Sequence, residues 1–129
     1  MSGRARICLI DDDIYVRDAL SLGLGDSGYD VVTAPGAAAG LDVVAREHID
    51  VIITDMNMPG VDGAQLITEA RARWPKLPVI AITGAATHDG RPVAEVAREL
   101  GADACLVKPF RAAQLAALIA ECLAQARTD

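Results

Sequence analysis

The chain has 129 residues, of which 52% are apolar and only 3% aromatic, with a net charge of -6. That length suits one domain, the core must be built from Ala, Val, Leu and Ile, and the acidic balance argues against nonspecific binding to nucleic acid or anionic membranes. No apolar run is long enough to span a bilayer, MSGRARICLI lacks a signal-peptide apolar region, and Cys8, Cys105 and Cys122, without a CxxC pair, fit the reduced, mostly buried thiols of a cytoplasmic protein.

In chain order, RICLI (6–10) reads as a first strand that runs straight into Asp11, Asp12 and Asp13. Carboxylates this close repel one another unless a cation sits among them. Val16, Ala19, Leu20 and Leu24 mark a first helix, and Gly28 stops it. DVVTA (30–34) is a second strand. APGAAAG (34–40) turns into a second, Ala-rich helix marked by Leu41 and Val44, with His48 on the surface near its end. VIIT (51–54) is a third strand that delivers Asp55. Leu66, Ile67 and Ala70 mark a third helix, closed by WPKLP (74–78). PVIAIT (78–83) is a fourth strand, ending at Thr83 and Gly84. GAATHDGRP (84–92) reads as a loop in which His88 is solvated, and Pro92 opens a fourth helix. Val93, Val96, Ala97 and Leu100 form that helix's stripe, and Gly101 stops it. ACLV (104–107) is a fifth strand reaching Lys108 and Pro109, followed by a helix striped by Leu115, Leu118, Ile119, Cys122 and Leu123.

Strand and helix thus alternate along the whole chain. This order implies an α/β doubly wound parallel sheet with right-handed crossovers and helices on both faces. The apolar runs are nearly unbroken, as in strands buried on both sides. Ligands of such sheets bind beyond the carboxyl ends of the strands. Those ends supply carboxylates (Asp11, Asp12, Asp55), a hydroxyl (Thr83) and an ammonium (Lys108). Three hard oxygen donors suit Mg²⁺ (or Mn²⁺) better than zinc. A metal, an ammonium and a hydroxyl around one carboxylate can hold the three oxygens of a phosphoryl group, which makes Asp55 a nucleophile that forms an aspartyl phosphate. Asp13, where the first helix begins, is expected to cap it. A lone Asp, Thr or Lys at a strand end is ordinary; complementary groups at four ends of one edge are not.

Taken with their spacing, LIDDD (9–13), DVIITDMNMPGVDG (50–63), VIAITG (79–84) and GADACLVKPF (101–110) closely resemble the receiver domain of two-component response regulators, the CheY-like superfamily. The resemblance covers nearly the whole chain. It implies a flavodoxin-like (βα)5 fold with strand order 2-1-3-4-5. It implies Asp55 as phosphoacceptor, and a metal held directly by Asp12 and Asp55, mostly through water by Asp11, and by the backbone carbonyl of Asn57. Thr83 matches the switch hydroxyl, Gly84 the small residue that leaves access, and Lys108 the phosphoryl-binding lysine; Pro109 is a candidate cis-proline. Two features depart from the family pattern. Cys105 stands where the family commonly has Tyr or Phe, and the 84–92 loop is longer than usual.

The implied function is that of a stand-alone, single-domain response regulator over residues 1–129, with no output domain. It would take a phosphoryl group from a sensor histidine kinase or histidine phosphotransferase. It would then switch the face made by the fourth helix, fifth strand and fifth helix, for a downstream protein partner or a phosphorelay. It would catalyse only its own phosphorylation and dephosphorylation. Neither nucleic acid nor membrane is an expected partner, and a monomer or weak dimer is expected, since the last helix has no basic residue between Arg111 and Arg127. Three alternatives exist: a receiver cut from a longer regulator, a dehalogenase-like Mg-dependent phosphatase, and an interaction module with a vestigial site. The phosphatase is disfavoured because Asn57 cannot serve as the general acid normally an Asp there. The vestigial module is disfavoured by the intact site. A calcium-loop reading of DDDIYVRD fails on spacing.

Overall fold

The computed structural model describes residues 4–56, 63–88 and 90–128, with only the backbone of His88, Arg127 and Thr128. The elements follow the sequence closely: β1 Arg6–Ile10, α1 Ile14–Asp26, β2 Asp30–Ala34, α2 Ala37–Arg46, β3 Val51–Asp55, α3 Gly63–Arg73, β4 Val79–Thr83, β5 Thr87–His88, β6 Arg91–Pro92, α4 Val93–Leu100, β7 Ala104–Val107 and α5 Ala112–Thr128. The five long strands form one parallel sheet in the order β2-β1-β3-β4-β7, which is the expected 2-1-3-4-5 winding.

Alternation along each strand divides the core in two. Cys8, Ile10, Ile52, Val79 and Ala81 face α2, α3 and α4, where they meet Val44, Leu66, Ile67, Ala70 and Ala97. Ile7, Leu9, Val51, Ile53, Ile80 and Ile82 face α1 and α5, where they meet Leu20, Leu24, Leu115 and Ile119. The central strands β3 and β4 are buried throughout, and β1 in all but its first residue, Arg6. The edge strands β2 and β7 are partly exposed, which corrects the expectation of five equally buried strands. Their apolar runs look like the others because both faces still pack on the helix layers, Ala34 and Cys105 on one side and Val31, Ala104 and Leu106 on the other.

Asp13 caps α1 as expected, its carboxylate accepting the Tyr15 N–H at 2.9 Å. Gly101 ends α4 in the left-handed region at φ 118°, a conformation glycine takes without a Cβ penalty. Pro92 occupies the cap position of α4 rather than its first turn. The segment 84–92 is not the plain loop expected. Thr87 pairs with Pro92 and His88 with Arg91 in a short antiparallel hairpin, with Gly90 at φ 79° in its turn. The Asp-Gly dipeptide at 89–90 is the sequence signal for such a hairpin. Among the described residues no helix is long and apolar enough to cross a membrane.

Two helical glycines show how space decides the sign of a substitution. A Cβ on Gly40 of α2 would collide with the buried Ile10 side chain, whereas one on Gly25 of α1 meets nothing within 4 Å. Gly40→Ala should therefore destabilise the protein by about 1–3 kcal/mol, and Gly25→Ala should stabilise it by about 0.4–1 kcal/mol. Urea denaturation of both variants checks the pair.

Candidate functional site

Parallel pairing brings the strand ends to one edge, and register decides what meets there. Ile10 lies opposite Thr54, so Asp11 and Asp55 follow side by side on β1 and β3. Asp55 lies opposite Ile82, one residue before Thr83, and Thr83 lies opposite Val107, one residue before Lys108. The Lys108 N–H donates to the Thr83 carbonyl at 2.7 Å, which extends the ladder to the site. The Lys108–Pro109 peptide is cis, as the resemblance implied.

Backbone bonds then fix the acidic turn. The Asp11 N–H donates to the Ala34 carbonyl (3.2 Å), and the Asp13 N–H donates to Asp11 Oδ1 (2.9 Å). The Arg17 guanidinium donates to the Asp11 carbonyl at 2.7 Å. On β3, the Thr54 hydroxyl donates to the Asp55 carbonyl at 3.1 Å, and the Met56 N–H donates to the Ile82 carbonyl at 2.9 Å. Gly63, the first residue of α3, approaches so closely that any Cβ there would strike the Asp55 carbonyl oxygen.

Asp11 is fully buried and Asp55 is 5% exposed, while Asp12 faces solvent. Carboxylate oxygens from the three lie within 4.8 Å of one another. Two buried carboxylates side by side need a counter-charge. Lys108 supplies it: its Nζ donates to Asp55 Oδ2 at 3.1 Å and to Asp11 Oδ2 at 3.2 Å. Burial pulls the Lys108 pKa down, but the hydrogen bonds and charges of Asp55 and Asp11 outweigh it and hold the ammonium above its usual value. Thr83 is buried beside this group, its hydroxyl accepting the Ala85 N–H at 3.2 Å and donating to the Ala85 carbonyl at 3.4 Å.

The donor set fits Mg²⁺ or Mn²⁺. It is all carboxylate oxygen, partly open through Asp12, and its spread is close to the ~4.2 Å that separates opposite ligands at Mg–O bonds of about 2.1 Å. Asp11, Asp12, Asp55, Thr83 and Lys108 are thus gathered at one edge. Asn57 lies outside the described residues. A Cβ on Gly84 would meet nothing within 4 Å, so packing does not demand glycine there. Cys105 is half-buried on β7 against the α4 layer. His48 is exposed and bonds Asp50 at 2.9 Å, in the turn that leads into the opposite end of β3, away from this cluster. The His88 side chain lies outside the described set. Sequence reasoning missed Arg17 and Gly63 as supports of the site. Arg17 stands one helical turn beyond the cap, but its bond to a carbonyl leaves no mark in side-chain chemistry.

The family model described as response regulator receiver domain matches residues 7–120. The response regulator protein FleR of Pseudomonas aeruginosa is 44% identical over 116 residues, covering 90% of this chain and 24% of FleR. The transcriptional regulatory protein FixJ of Bradyrhizobium diazoefficiens is 34% identical over 126 residues, covering 98% of this chain and 60% of FixJ. The chain therefore spans between about a quarter and three fifths of these curated relatives. Among solved structures, a response regulator receiver domain protein from Clostridium thermocellum superposes with a TM-score of 0.88 at 31% identity, covering 96% of this chain and 98% of that one. The chemotaxis protein CheY4 of Vibrio cholerae superposes at 0.85 with 29% identity, covering 94% of this chain and all (100%) of that one.

The exposed corner of the cluster should be the cheapest charge to remove. Asp12→Asn leaves both Lys108 bonds in place, so without divalent cation it should stabilise the fold by about 0.5–2 kcal/mol. Mg²⁺ at a hundredfold its Kd should stabilise the wild type by about 2.7 kcal/mol, and the variant by much less. Urea midpoints with and without Mg²⁺ check both halves.

Proposed function

The chain belongs to the response regulator receiver domain family, and from that premise we propose that it accepts a phosphoryl group on Asp55 from a sensor histidine kinase or a histidine phosphotransferase. The observation that carries this reading is the buried Asp55 carboxylate held by Lys108 within reach of two further acids and Thr83. An Asp55 oxygen attacks phosphorus; the new P–O bond forms as the P–N bond of a phosphohistidine breaks. The imidazole leaves with the electron pair and takes up a proton.

Asp12 and Asp55, with Asp11 through water and the Asn57 carbonyl, are the proposed holders of Mg²⁺ (or Mn²⁺). When bound, the ion neutralises charge on the phosphoryl oxygens. Lys108, whose ammonium bonds the acceptor carboxylate, is the proposed holder of a phosphoryl oxygen. Thr83 is the proposed donor to a third oxygen, once its hydroxyl turns from Ala85. Such positioning and charge neutralisation are most of what phosphoryl transfer requires. Hydrolysis of the acyl phosphate by water then resets the site, so the chain acts on itself and on no further substrate.

A protein donor has a surface beside the acceptor. Tyr15, Val16, Ala19, Leu20, Pro109 and Phe110 line a shallow apolar cleft of about 360 Å³ that includes Lys108 itself. Tyr15, which lines this cleft, is 82% exposed and the adjacent Ile14 53%, so the cleft and these two side chains offer apolar surface for a protein to cover. The signal leaves through α4, β7 and α5, toward a downstream protein rather than nucleic acid.

The longer relatives favour a second reading, in which this receiver forms one part of a larger regulator. An immunoblot of the protein's size in its own cells separates that from the stand-alone role.

Incubation with acetyl phosphate and Mg²⁺ should place one acid- and base-labile phosphate on the wild type and none on Asp55→Asn, measured by intact mass. Equal labelling of the variant would sink the assignment, and turnover of an added phosphomonoester would favour the phosphatase alternative. Tyr15→Ala should keep its acetyl phosphate labelling while losing about 10-fold or more in transfer from a phosphorylated histidine partner, as a central aromatic anchor does.

A further inference from the structure

Asp12 is held less than any other acid of the cluster. It faces solvent, and among the described residues its carboxylate has no hydrogen-bond or ion-pair partner. Its neighbours are the reverse. Asp11 is fixed at its amide by Ala34, at its carbonyl by Arg17, at Oδ1 by the Asp13 N–H and at Oδ2 by Lys108. Asp13 Oδ1 accepts the Tyr15 N–H. Yet one Asp12 oxygen lies within 4.8 Å of oxygens on Asp11 and Asp55. With no partner of its own, Asp12 is aimed by the backbone on either side, since backbone conformation decides which rotamers a side chain can adopt.

That backbone converges on Arg17. The guanidinium Nη1 donates to the Asp11 carbonyl at 2.7 Å and fixes the peptide that enters Asp12. The peptide that leaves Asp12 is fixed by the Asp13 N–H on Asp11 Oδ1 at 2.9 Å. The peptide after that is fixed by the Arg17 amide, which donates to the Asp13 carbonyl at 3.0 Å. Arg17 thus bonds the carbonyls of the residues before and after Asp12. Its choice of acceptor is informative. Arg17 follows three consecutive acids, but it pairs with no carboxylate among the described residues. A guanidinium placed to neutralise charge would reach a carboxylate, as the Lys108 ammonium does. Arg17 instead makes a short, charge-assisted bond to a carbonyl.

We propose that Arg17 is a positioning residue for the divalent ion: it holds the Asp11–Asp13 turn in the arrangement that presents the Asp12 carboxylate beside Asp55. The inference rests on the proposed reading of Asp12 as a ligand of that ion and deepens it by naming what aims the ligand. Its sign opposes electrostatics. Arg17 is a cation bonded to a residue of a cation site, so by Coulomb's law alone its removal favours the ion. By positioning, its removal sets Asp12 loose and weakens the ion.

Mn²⁺ suits the same oxygen donors and reports its own binding. It is titrated into the full chain while electron paramagnetic resonance follows the free ion, and circular dichroism checks that each variant is folded. Arg17→Gln, without the charge and too short to reach the carbonyl, should raise the Mn²⁺ Kd by about 10-fold, as loss of an outer-shell partner does. Arg17→Lys keeps the charge on a stem one bond shorter. It should raise the Kd by about twofold or more, and by less than Arg17→Gln. On an Asp12→Asn background, Arg17→Gln should raise the Kd no further. An unchanged or lowered Kd in Arg17→Gln, or an equal rise with and without Asp12, overturns the positioning role and leaves the metal reading standing. Where Arg17→Gln is not folded, Arg17→Lys carries the same two comparisons, and a Kd equal to the wild type's overturns the role. A wild-type Kd in Asp12→Asn alone overturns the metal reading of Asp12, and the role of Arg17 with it.

Discussion

The ammonium of Lys108 between the carboxylates of Asp11 and Asp55 is the interaction on which the site depends. The three residues are far apart in the chain, 97 positions from Asp11 to Lys108 and 53 from Asp55 to Lys108. The parallel sheet in this order delivers them to one point. Stranding a buried charge costs about 3–5 kcal/mol in general, less here because the Lys108 side chain is 27% exposed. The pair is thus first of all a structural necessity. The lysine that supplies the counter-charge to two buried acids sits beside a cluster whose third acid, Asp12, faces solvent.

The supports of this pair are made of backbone. Asp11 is held at its amide, its carbonyl and one carboxylate oxygen, by Ala34, Arg17 and Asp13 in turn. The Asp55 carbonyl is fixed by Thr54 and pressed upon by Gly63. Most of these bonds fix a carboxylate-bearing residue through its backbone, and at Asp11 one carboxylate oxygen is fixed as well. The glycine contact at Gly40 serves the same end at longer range, because it lets α2 sit directly on Ile10, the residue before Asp11.

Much of this was legible in the sequence because the chemistry sits at strand ends. The unbroken runs RICLI and VIIT announce central strands, and the residue after each run then stands at the binding edge, so Asp11, Asp12, Asp55, Thr83 and Lys108 could be grouped without coordinates. The edge positions of β2 and β7 were not legible, since DVVTA and ACLV have the same composition as the central runs and sheet order leaves no trace in periodicity. The hairpin was missed for a different reason. Its strands, TH and RP, are too short to show alternation, and one is partly proline. Arg17 and Gly63 were missed because their contacts are to carbonyl oxygens, which every residue has.

The distribution of bond strength across the molecule sets where change can occur. Inside, Lys108 joins buried acids in a low-dielectric setting where rearrangement is costly. Outside, Arg91 and Glu99 meet in water, where a pair is made and broken cheaply. Between them lies Thr83, buried yet bonded through its hydroxyl to a segment that leads outward.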